Sequence, residues 1–239
     1  MAALQPVRSR RDGRRSARRA GRGVTLVELM IGVAIGLVIA AGGVSFLTGN
    51  LREHRSLLLE SRLMQDLRTA ADIVTRDLRR AGYWSAAERG IWMQGAGAVL
   101  ANPYTVVAPE AAASDNVSFR FSRDATENHA VDSNEQFGFR LRGGALEMQL
   151  GAANWQALTD GGTVTVTAFS VTPSVQQVSL ADSCASACPV GNTTCPPQVN
   201  VRSFALQITG RSATDANVVR TVRSTVRLRN DSIVGACAA

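Results

Sequence analysis

The chain contains no lysine, and aromatic residues make up only 5% of its 239 residues. Two histidines and four cysteines leave few side chains for a metal enzyme. The sequence contains no G-x-S-x-G, H-E-x-x-H or phosphate-loop motif. We therefore expect no catalytic centre, no metal and no cofactor, and a function that depends on binding or assembly.

The positive charge is confined to the first tenth of the chain. All 26 basic residues are arginines against 19 acids, for a formal net charge of +7. Residues 1–23 hold eight of the arginines and one acid, Asp12, and the remaining 216 residues hold 18 of each sign. A neutral body argues against nucleic acid as a partner, because nucleic-acid binding depends on clustered basic charge. Arginines near aromatic residues, such as Arg120 and Arg140, are then expected to face solvent.

An apolar segment follows the arginines. Glu28 is the one charged residue between Val24 and Leu47, and the charge-free run 29–47 has 19 residues. At about 1.5 Å per residue, such a helix spans a hydrocarbon core of about 30 Å. The arginines on its N-terminal side predict a cytoplasmic leader and a body outside the membrane after residue 50. No A-x-A-like cleavage site follows the segment, so it differs from a secretory signal peptide.

The junction between leader and helix resembles type IV pilins and type II secretion pseudopilins. Their signature is a basic leader, a glycine and a T-L-x-E run, which this chain matches at Gly23, Val24, Thr25, Leu26 and Glu28. The resemblance implies cleavage after Gly23 by a prepilin peptidase and N-methylation of Val24, a position that is usually Phe. It also implies that Glu28 pairs with the N-terminal amine of a neighbouring subunit, since a desolvated charge needs a partner.

A single long helix is predicted from about Val24 to about Ala81. No proline occurs between Pro6 and Pro103, and apolar residues recur at helical spacing after the span. That stripe consists of Leu59, Leu63, Leu67, Ala70, Val74, Leu78 and Ala81. We expect an apolar half at 24–50 and an amphipathic half at 51–82 that a globular domain covers. A membrane anchor with a coiled-coil stalk is the alternative.

The sequence at the end of this helix resembles a smaller group within the pilins. The ending R-D-L-R-x-A-G-Y resembles the PilW family of minor pilins and, more loosely, the J-type minor pseudopilins. The matching positions are Arg76, Asp77, Arg79, Gly82 and Tyr83. A structural role at the helix end, with Gly82 as the residue after the C-cap, would account for these residues equally well.

The body, residues 83–239, changes to short alternating segments. Asn116–Ser122 alternates apolar residues, and Gln136–Arg142 with Ala145–Leu150 predicts a hairpin turning at Gly143-Gly144. Three further segments predict strands, the last two of them paired across a polar loop with Gly210, and they are Thr163–Thr172, Ser203–Thr209 and Val218–Arg229. We predict an α+β fold of the type IV pilin kind, with an antiparallel sheet packed on the helical stripe. Thr221–Asn230 also resembles PilW-family C-terminal strands.

All four cysteines lie in the last quarter of the chain. Cys184, Cys188 and Cys195 fall in the polar loop 182–200, and Cys237 is near the end. An extracytoplasmic body and the poor match to zinc spacings predict two disulfides. Three pairings are open, and we favour Cys184–Cys188 with Cys195–Cys237. The polar run 132–135, which contains Asp132 and Glu135, lacks the full calcium-loop pattern, so we expect a solvated loop there.

These features predict a minor pilin that passes once through the inner membrane, with its domain in the periplasm, before it enters a pilus fibre at the cell surface. The partners that the resemblance implies are a prepilin peptidase, other minor and major pilins, and the inner-membrane assembly platform. Two alternatives stay open. One is a J-type minor pseudopilin of a type II secretion system, and the other is an uncleaved, membrane-anchored periplasmic binding domain.

Overall fold

The computed structural model describes residues 23–90 and 100–238. Helix α1 runs from Leu26 to Leu78, slightly shorter at both ends than predicted. The chain divides into two compact units, Met1–Arg52 and Glu53–Ala239, and α1 contributes to both. The glycines at 42 and 43 do not interrupt the helix.

Two antiparallel sheets follow α1 in the second unit. The strands of the first sheet are β1 (Val107–Ala108), β2 (Asn116–Arg120), β3 (Gln136–Arg142), β4 (Ala145–Leu150) and β5 (Trp155–Ala157). Those of the second are β6 (Val164–Ser179), β7 (Gln198–Ser212), β8 (Val219–Arg227) and β9 (Ser232–Val234). The first sheet keeps chain order, and the second has the order β6-β7-β8, with β9 paired to the start of β7. This architecture confirms the α+β prediction, although the strands form two sheets rather than one.

The core lies between the amphipathic part of α1 and the apolar faces of both sheets. From Leu63 onward the predicted stripe is buried, while Leu59 is half-buried. It joins one cluster with Phe119 and Phe139 of the first sheet and Leu206 of the second. Alternation along the strands places these side chains on a common face, which is why a period-2 pattern and a helical stripe together predict the core.

Gly210 lies within β7 rather than in a loop. A Cβ atom there would approach Leu67 Cδ2 to 3.0 Å and Val164 Cγ1 to 3.1 Å. The missing side chain therefore leaves room for Leu67 of α1 and Val164 of the neighbouring strand β6 beside this part of β7. The polar loop between β7 and β8 begins later, after Ser212.

Candidate functional site

The segment that carries the predicted cleavage site leads directly into α1. Gly23 and Val24 precede the helix without regular structure. Within residues 23–90 and 100–238, no heavy atom lies within 4 Å of the position of a Cβ on Gly23. Val24 is 66% exposed. The peptide bond between them is thus accessible in the chain, whereas the arginines of the leader lie outside the described residues.

Thr25 caps the helix. Its Oγ1 accepts a hydrogen bond from the Glu28 backbone N–H at 3.2 Å, and its carbonyl accepts one from the Leu29 N–H at 3.0 Å. This is one half of a Thr-x-x-Glu capping box, in which the threonine satisfies a free N–H of the first turn. The T-L-x-E run therefore also encodes the start of the helix two residues after Val24.

Glu28 is exposed in the first turn of α1, near the positive end of the helix dipole. Among the residues that the structure describes, it forms no ion pair. Cleavage after Gly23 would create a new N-terminal amine at Val24, a group that is cationic in water at neutral pH. The mature chain would then begin with one cation followed four residues later by one carboxylate.

The side chains of α1 in the first unit are exposed along its whole apolar segment. These exposed residues include Leu29, Met30, Ile31, Val33, Ile35, Leu37, Val38, Ile39, Val44, Phe46 and Leu47. In the described part of the chain, α1 is the one helix long and apolar enough to cross a membrane. Gly32 and Gly36 form a G-x-x-x-G pair with open space around both Cβ positions, a pattern that permits close approach of another helix.

Backbone hydrogen bonds connect the end of α1 to the first sheet; we call this connection the joint. Gly82 adopts a left-handed conformation with φ +76°, and its N–H donates to the Arg120 carbonyl at 2.8 Å. The Tyr83 carbonyl accepts from the Ser122 N–H at 2.9 Å. A residue with a side chain would be strained at Gly82. The R-D-L-R-x-A-G-Y run therefore positions strand β2 against the helix.

The charged residues of that run remain close to the joint. An Asp77 carboxylate oxygen lies 4.0 Å from a guanidinium nitrogen of Arg80. Burial raises the pKa of Asp77, although the nearby charges of Arg80 and Arg76 act to lower it. The Arg80 guanidinium stacks over the Phe121 ring at 4.2 Å. The Arg79 carbonyl accepts from the Arg229 N–H at 3.3 Å, which ties the helix end to the C-terminal region. These contacts assign a structural role to the motif.

An acidic network near β3 was missed by the sequence reasoning. Residues 132–135 were expected to form a solvated loop, and this is wrong for Glu135, whose exposed fraction is 0%. Its Oε1 accepts from the Arg123 N–H at 2.8 Å and its Oε2 from the Asp132 N–H at 2.9 Å. Asp132 and Glu135 form a capping box on a short 3₁₀ helix, so the D-x-x-E spacing was the available signal.

Tyr104 joins this network from 31 residues away. Its buried hydroxyl lies 3.0–3.2 Å from both Glu135 oxygens, from Glu127 Oε1 and from the Ala130 carbonyl. Burial, together with hydrogen bonds to Glu135 and Glu127, raises the pKa of Tyr104 above its usual range. Burial also acts to raise the pKa of Glu127, but hydrogen bonds from Ser85, Ser122, the His129 N–H and Tyr104 outweigh it and lower that pKa.

Carboxylate oxygens of Asp124, Asp132 and Glu135 lie within 4.8 Å of one another. Burial, with the nearby charges of Glu135 and Asp132, raises the pKa of Asp124. Both Glu135 oxygens are already bonded to backbone N–H groups. These described contacts give the cluster a role in holding the loop between β2 and β3.

The arginines beside aromatic residues make contacts within the chain. Arg140 bonds Glu147 at 2.7 Å and stacks over the Trp155 ring at 3.9 Å. The Arg123 guanidinium lies 5.8 Å from the centre of the Phe137 ring. Arg140 and Arg123 therefore use their guanidinium groups in contacts within the chain.

The cysteines form two disulfides, but in a different pairing from the favoured one. Cys184 bonds Cys237, with a Cα–Cα distance of 5.4 Å, and Cys188 bonds Cys195 at 5.5 Å. The prediction of Cys184–Cys188 with Cys195–Cys237 is wrong, because β9 pairs with the start of β7 and carries the C-terminal tail to Cys184. The second bridge closes a short surface loop.

A family model described as prepilin peptidase-dependent protein B matches residues 56–228. The chain belongs to this family. A model of the prokaryotic N-terminal methylation motif matches residues 18–44, which include Gly23, Val24 and Glu28. This member of the prepilin peptidase-dependent protein B family therefore carries the processing signal directly before its apolar helix.

A pilin-like relative was also found. The pilin-like protein PilA3 of Thermus thermophilus is 34% identical over 70 residues, which cover 28% of this chain and 30% of the relative. The matched segment thus spans less than a third of the relative's length. No solved structure matches the chain. The motif, the family and the apolar helix together identify a prepilin peptidase-dependent, pilin-like protein whose N-terminal helix is long and apolar enough to cross a membrane.

Proposed function

We propose that this chain is a minor pilin of the PilW type, which acts by assembly rather than by catalysis. A prepilin peptidase cuts between Gly23 and Val24, and the new Val24 amine is methylated. Residues 24–50 hold the mature subunit in the inner membrane, with residues 83–239 on the periplasmic side. The subunit then leaves the membrane and enters a type IV pilus with other minor and major pilins, at the assembly platform.

The observation that carries this proposal is the combination at the start of α1. A capped helix begins two residues after an accessible Gly23–Val24 bond, and its apolar side chains are exposed as far as Leu51. In this segment Glu28 is the sole charged side chain. In a bundle of apolar helices, an isolated carboxylate is costly unless a cation pairs with it. The N-terminal amine of a neighbouring subunit supplies that cation.

The function is tested by replacing Glu28 with alanine and following the protein into sheared pili. We expect Glu28→Ala to be cut normally but to be lost from the pilus fraction, because the carboxylate acts after processing. Glu53→Ala is the matched control, since Glu53 is an exposed acid on the same helix. Normal incorporation of Glu28→Ala would contradict the pairing role.

Deletion of the gene distinguishes the pilus from a secretion system. A PilW-type minor pilin predicts loss of pili and twitching, with protein secretion intact. Loss of secretion with normal pili would instead identify a J-type minor pseudopilin, to which the helix-end motif is also similar. Full-length chain that retains residues 1–23 would indicate a permanently anchored binding domain and overturn both pilin assignments.

A further inference from the structure

The second half of β6 is an exposed strand at the edge of its sheet. β6 pairs with β7 along one side. From Ser174 to Ser179 every side chain is exposed, on both faces of the strand. Among residues 23–90 and 100–238, backbone groups on the other side of β6 are paired at two places. The Val166 N–H donates to the Gly144 carbonyl at 2.7 Å, and an isolated bridge joins Ser114 to Val171. The edge beyond that bridge is therefore open.

The bridge shows which backbone groups face outward. Val171 and Ser114 exchange two hydrogen bonds, of 3.1 Å and 2.9 Å, so the N–H and C=O of Val171 point away from β7. Backbone direction alternates along a strand, so Val175, Gln177 and Ser179 point the same way. The Leu180 N–H confirms this alternation, because it donates to the Pro197 carbonyl on the β7 side at 2.9 Å.

This edge lacks the features that usually keep exposed strands apart. Natural edge strands carry charged residues, prolines or bulges that block pairing with another chain. No charged residue occurs between Thr163 and Ala181. The bulge of β6 lies at Val166/Ala168, and Pro173 removes a donor only at the start of the open stretch. Within 175–179, the outward-facing backbone groups of Val175, Gln177 and Ser179 thus have no charge, proline or bulge beside them that would block pairing.

We propose that this edge pairs with the same edge of a second copy of the chain. Antiparallel pairing about a two-fold axis through Gln177 places Gln177 opposite itself and Val175 opposite Ser179. All three residues point outward, so every free N–H and C=O of the stretch then finds a partner. Gln176 faces Val178 of the second copy on the other side of the pleat.

The side chains favour a second copy over a differently charged partner. In a pair related by a two-fold axis, a charged residue at the axis would lie directly opposite the same charge of the second copy. Like charges directly opposite one another destabilise a sheet. This stretch contains none. A glutamine side chain carries both a donor and an acceptor, so Gln177 is complementary to itself. Val175 and Val178, 47% and 43% exposed, become covered by the added strand. The inference does not depend on the proposed role in pili.

Disulfide trapping of the full chain in membranes tests the register. In this pairing, the Gln177 Cα atoms of the two copies lie about 5.5 Å apart, within the range that a disulfide bridges. Gln176 is the matched control, because it is the same residue type, adjacent and exposed. Its Cα lies about 7–8 Å from that of its own copy, on a diagonal. Mild oxidation should therefore trap Gln177→Cys as a covalent dimer and leave Gln176→Cys monomeric on a non-reducing gel.

The wild type is the second control, since its four cysteines are paired within the chain. Absence of the Gln177→Cys dimer, or equal trapping at both positions, would overturn the pairing. A cross-linked band at a mass other than twice the monomer would also overturn it, because a strand of another protein would then occupy the edge.

A proline pair separates pairing from folding. The Gln177 N–H faces outward, so Gln177→Pro should leave the ladder with β7 intact while it removes the dimer in solution. Gln176→Pro removes a hydrogen bond to β7 and should lower the melting temperature. The mass of the detergent-solubilised chain, from light scattering, should be dimeric in the wild type and monomeric in Gln177→Pro. A dimer that survives Gln177→Pro contradicts the proposal.

Discussion

Replacement of Tyr104 by phenylalanine removes one buried oxygen from the acidic network. The hydroxyl lies within 3.2 Å of both Glu135 oxygens and within 3.1 Å of Glu127 Oε1. A hydrogen bond to a charged acceptor contributes about 1.5–3 kcal/mol to the free energy of unfolding. Glu135 keeps its bonds from the Arg123 and Asp132 N–H groups, so the variant should still fold.

The expected loss can be measured by thermal unfolding. For a domain of the size of Glu53–Ala239, each kcal/mol shifts the melting temperature by about 2–4 °C. Tyr104→Phe should therefore melt about 3–12 °C below the wild type. Near-UV circular dichroism of the full chain in detergent follows the transition. Tryptophan fluorescence gives a second probe, since Trp84 packs in the same small cluster as Tyr104.

The chain supplies its own control. It has two tyrosines, and the other, Tyr83, is 48% exposed. Tyr83→Phe should change the free energy of unfolding by no more than about ±0.5 kcal/mol, as is usual for surface substitutions, and so leave the melting temperature almost unchanged. Equal effects of the two substitutions would refute the assignment of stability to the Tyr104 hydroxyl.

The same substitution has a defined pH dependence. Burial and the two glutamates raise the pKa of Tyr104, so the folded chain keeps its phenol proton where the unfolded chain loses it. That contribution is complete below the unfolded pKa of about 10 and is lost as the pH rises above it. The difference in stability between wild type and Tyr104→Phe should therefore narrow above pH 10. A constant difference across that range would contradict the reasoning.

Three further substitutions test other parts of the fold. A Cβ on Gly138 would lie 2.7 Å from the Val117 carbonyl oxygen, so Gly138→Ala should lower the free energy of unfolding by about 1–3 kcal/mol, measured in urea. Gly161→Ala is the control and should be near neutral, because no described atom lies within 4 Å of a Cβ at Gly161. Glu127→Gln should be less stable than wild type at pH 7, and the difference should disappear as the pH falls through the lowered pKa of Glu127, as measured by melting temperature. Serine at both ends of the Cys184–Cys237 bridge, with its sequence separation of 53, should cost about 2 kcal/mol more than loss of the bridge with separation 7. Equal losses from the two bridges would contradict the loop-entropy argument.

The parts of the fold that were predicted correctly are those that local sequence patterns determine. The stripe from Leu63 to Ala81 is buried because helical spacing fixes which residues share a face. The hairpin of β3 and β4 turns at Gly143-Gly144, both left-handed, as two adjacent glycines indicate. These features depend on neighbours in sequence, and a single chain suffices to recognise them.

Two strands of the second sheet, β6 and β7, are longer than predicted. β6 was expected to end at Thr172, before Pro173, but it continues to Ser179. Proline normally ends a central strand because it cannot donate to the ladder. At Pro173 the missing N–H faces the outer side of an edge strand, so no ladder bond is lost. Edge position depends on the topology and is not visible in the local sequence.

Non-local contacts account for the remaining differences. Tyr104 reaches Glu135 across 31 residues, and Cys237 reaches Cys184 across 53. The D-x-x-E spacing of Asp132 and Glu135 is a signal for a helix cap, but it could not show that the glutamate is buried and bonded to a tyrosine. The disulfide pairing follows from β9 joining β7, a pairing of only three residues near the chain end. Such short strands have too little pattern to be predicted.

The central claim, processing at the start of α1, is tested most directly by the mass of the mature N-terminal peptide. The account predicts a chain that begins at Val24 and carries one N-methyl group, with all eight arginines of residues 1–23 removed. The mature protein would then have no net side-chain charge, and its first charged groups would be the Val24 amine and Glu28. A mature chain that still carries residues 1–23 would contradict the account.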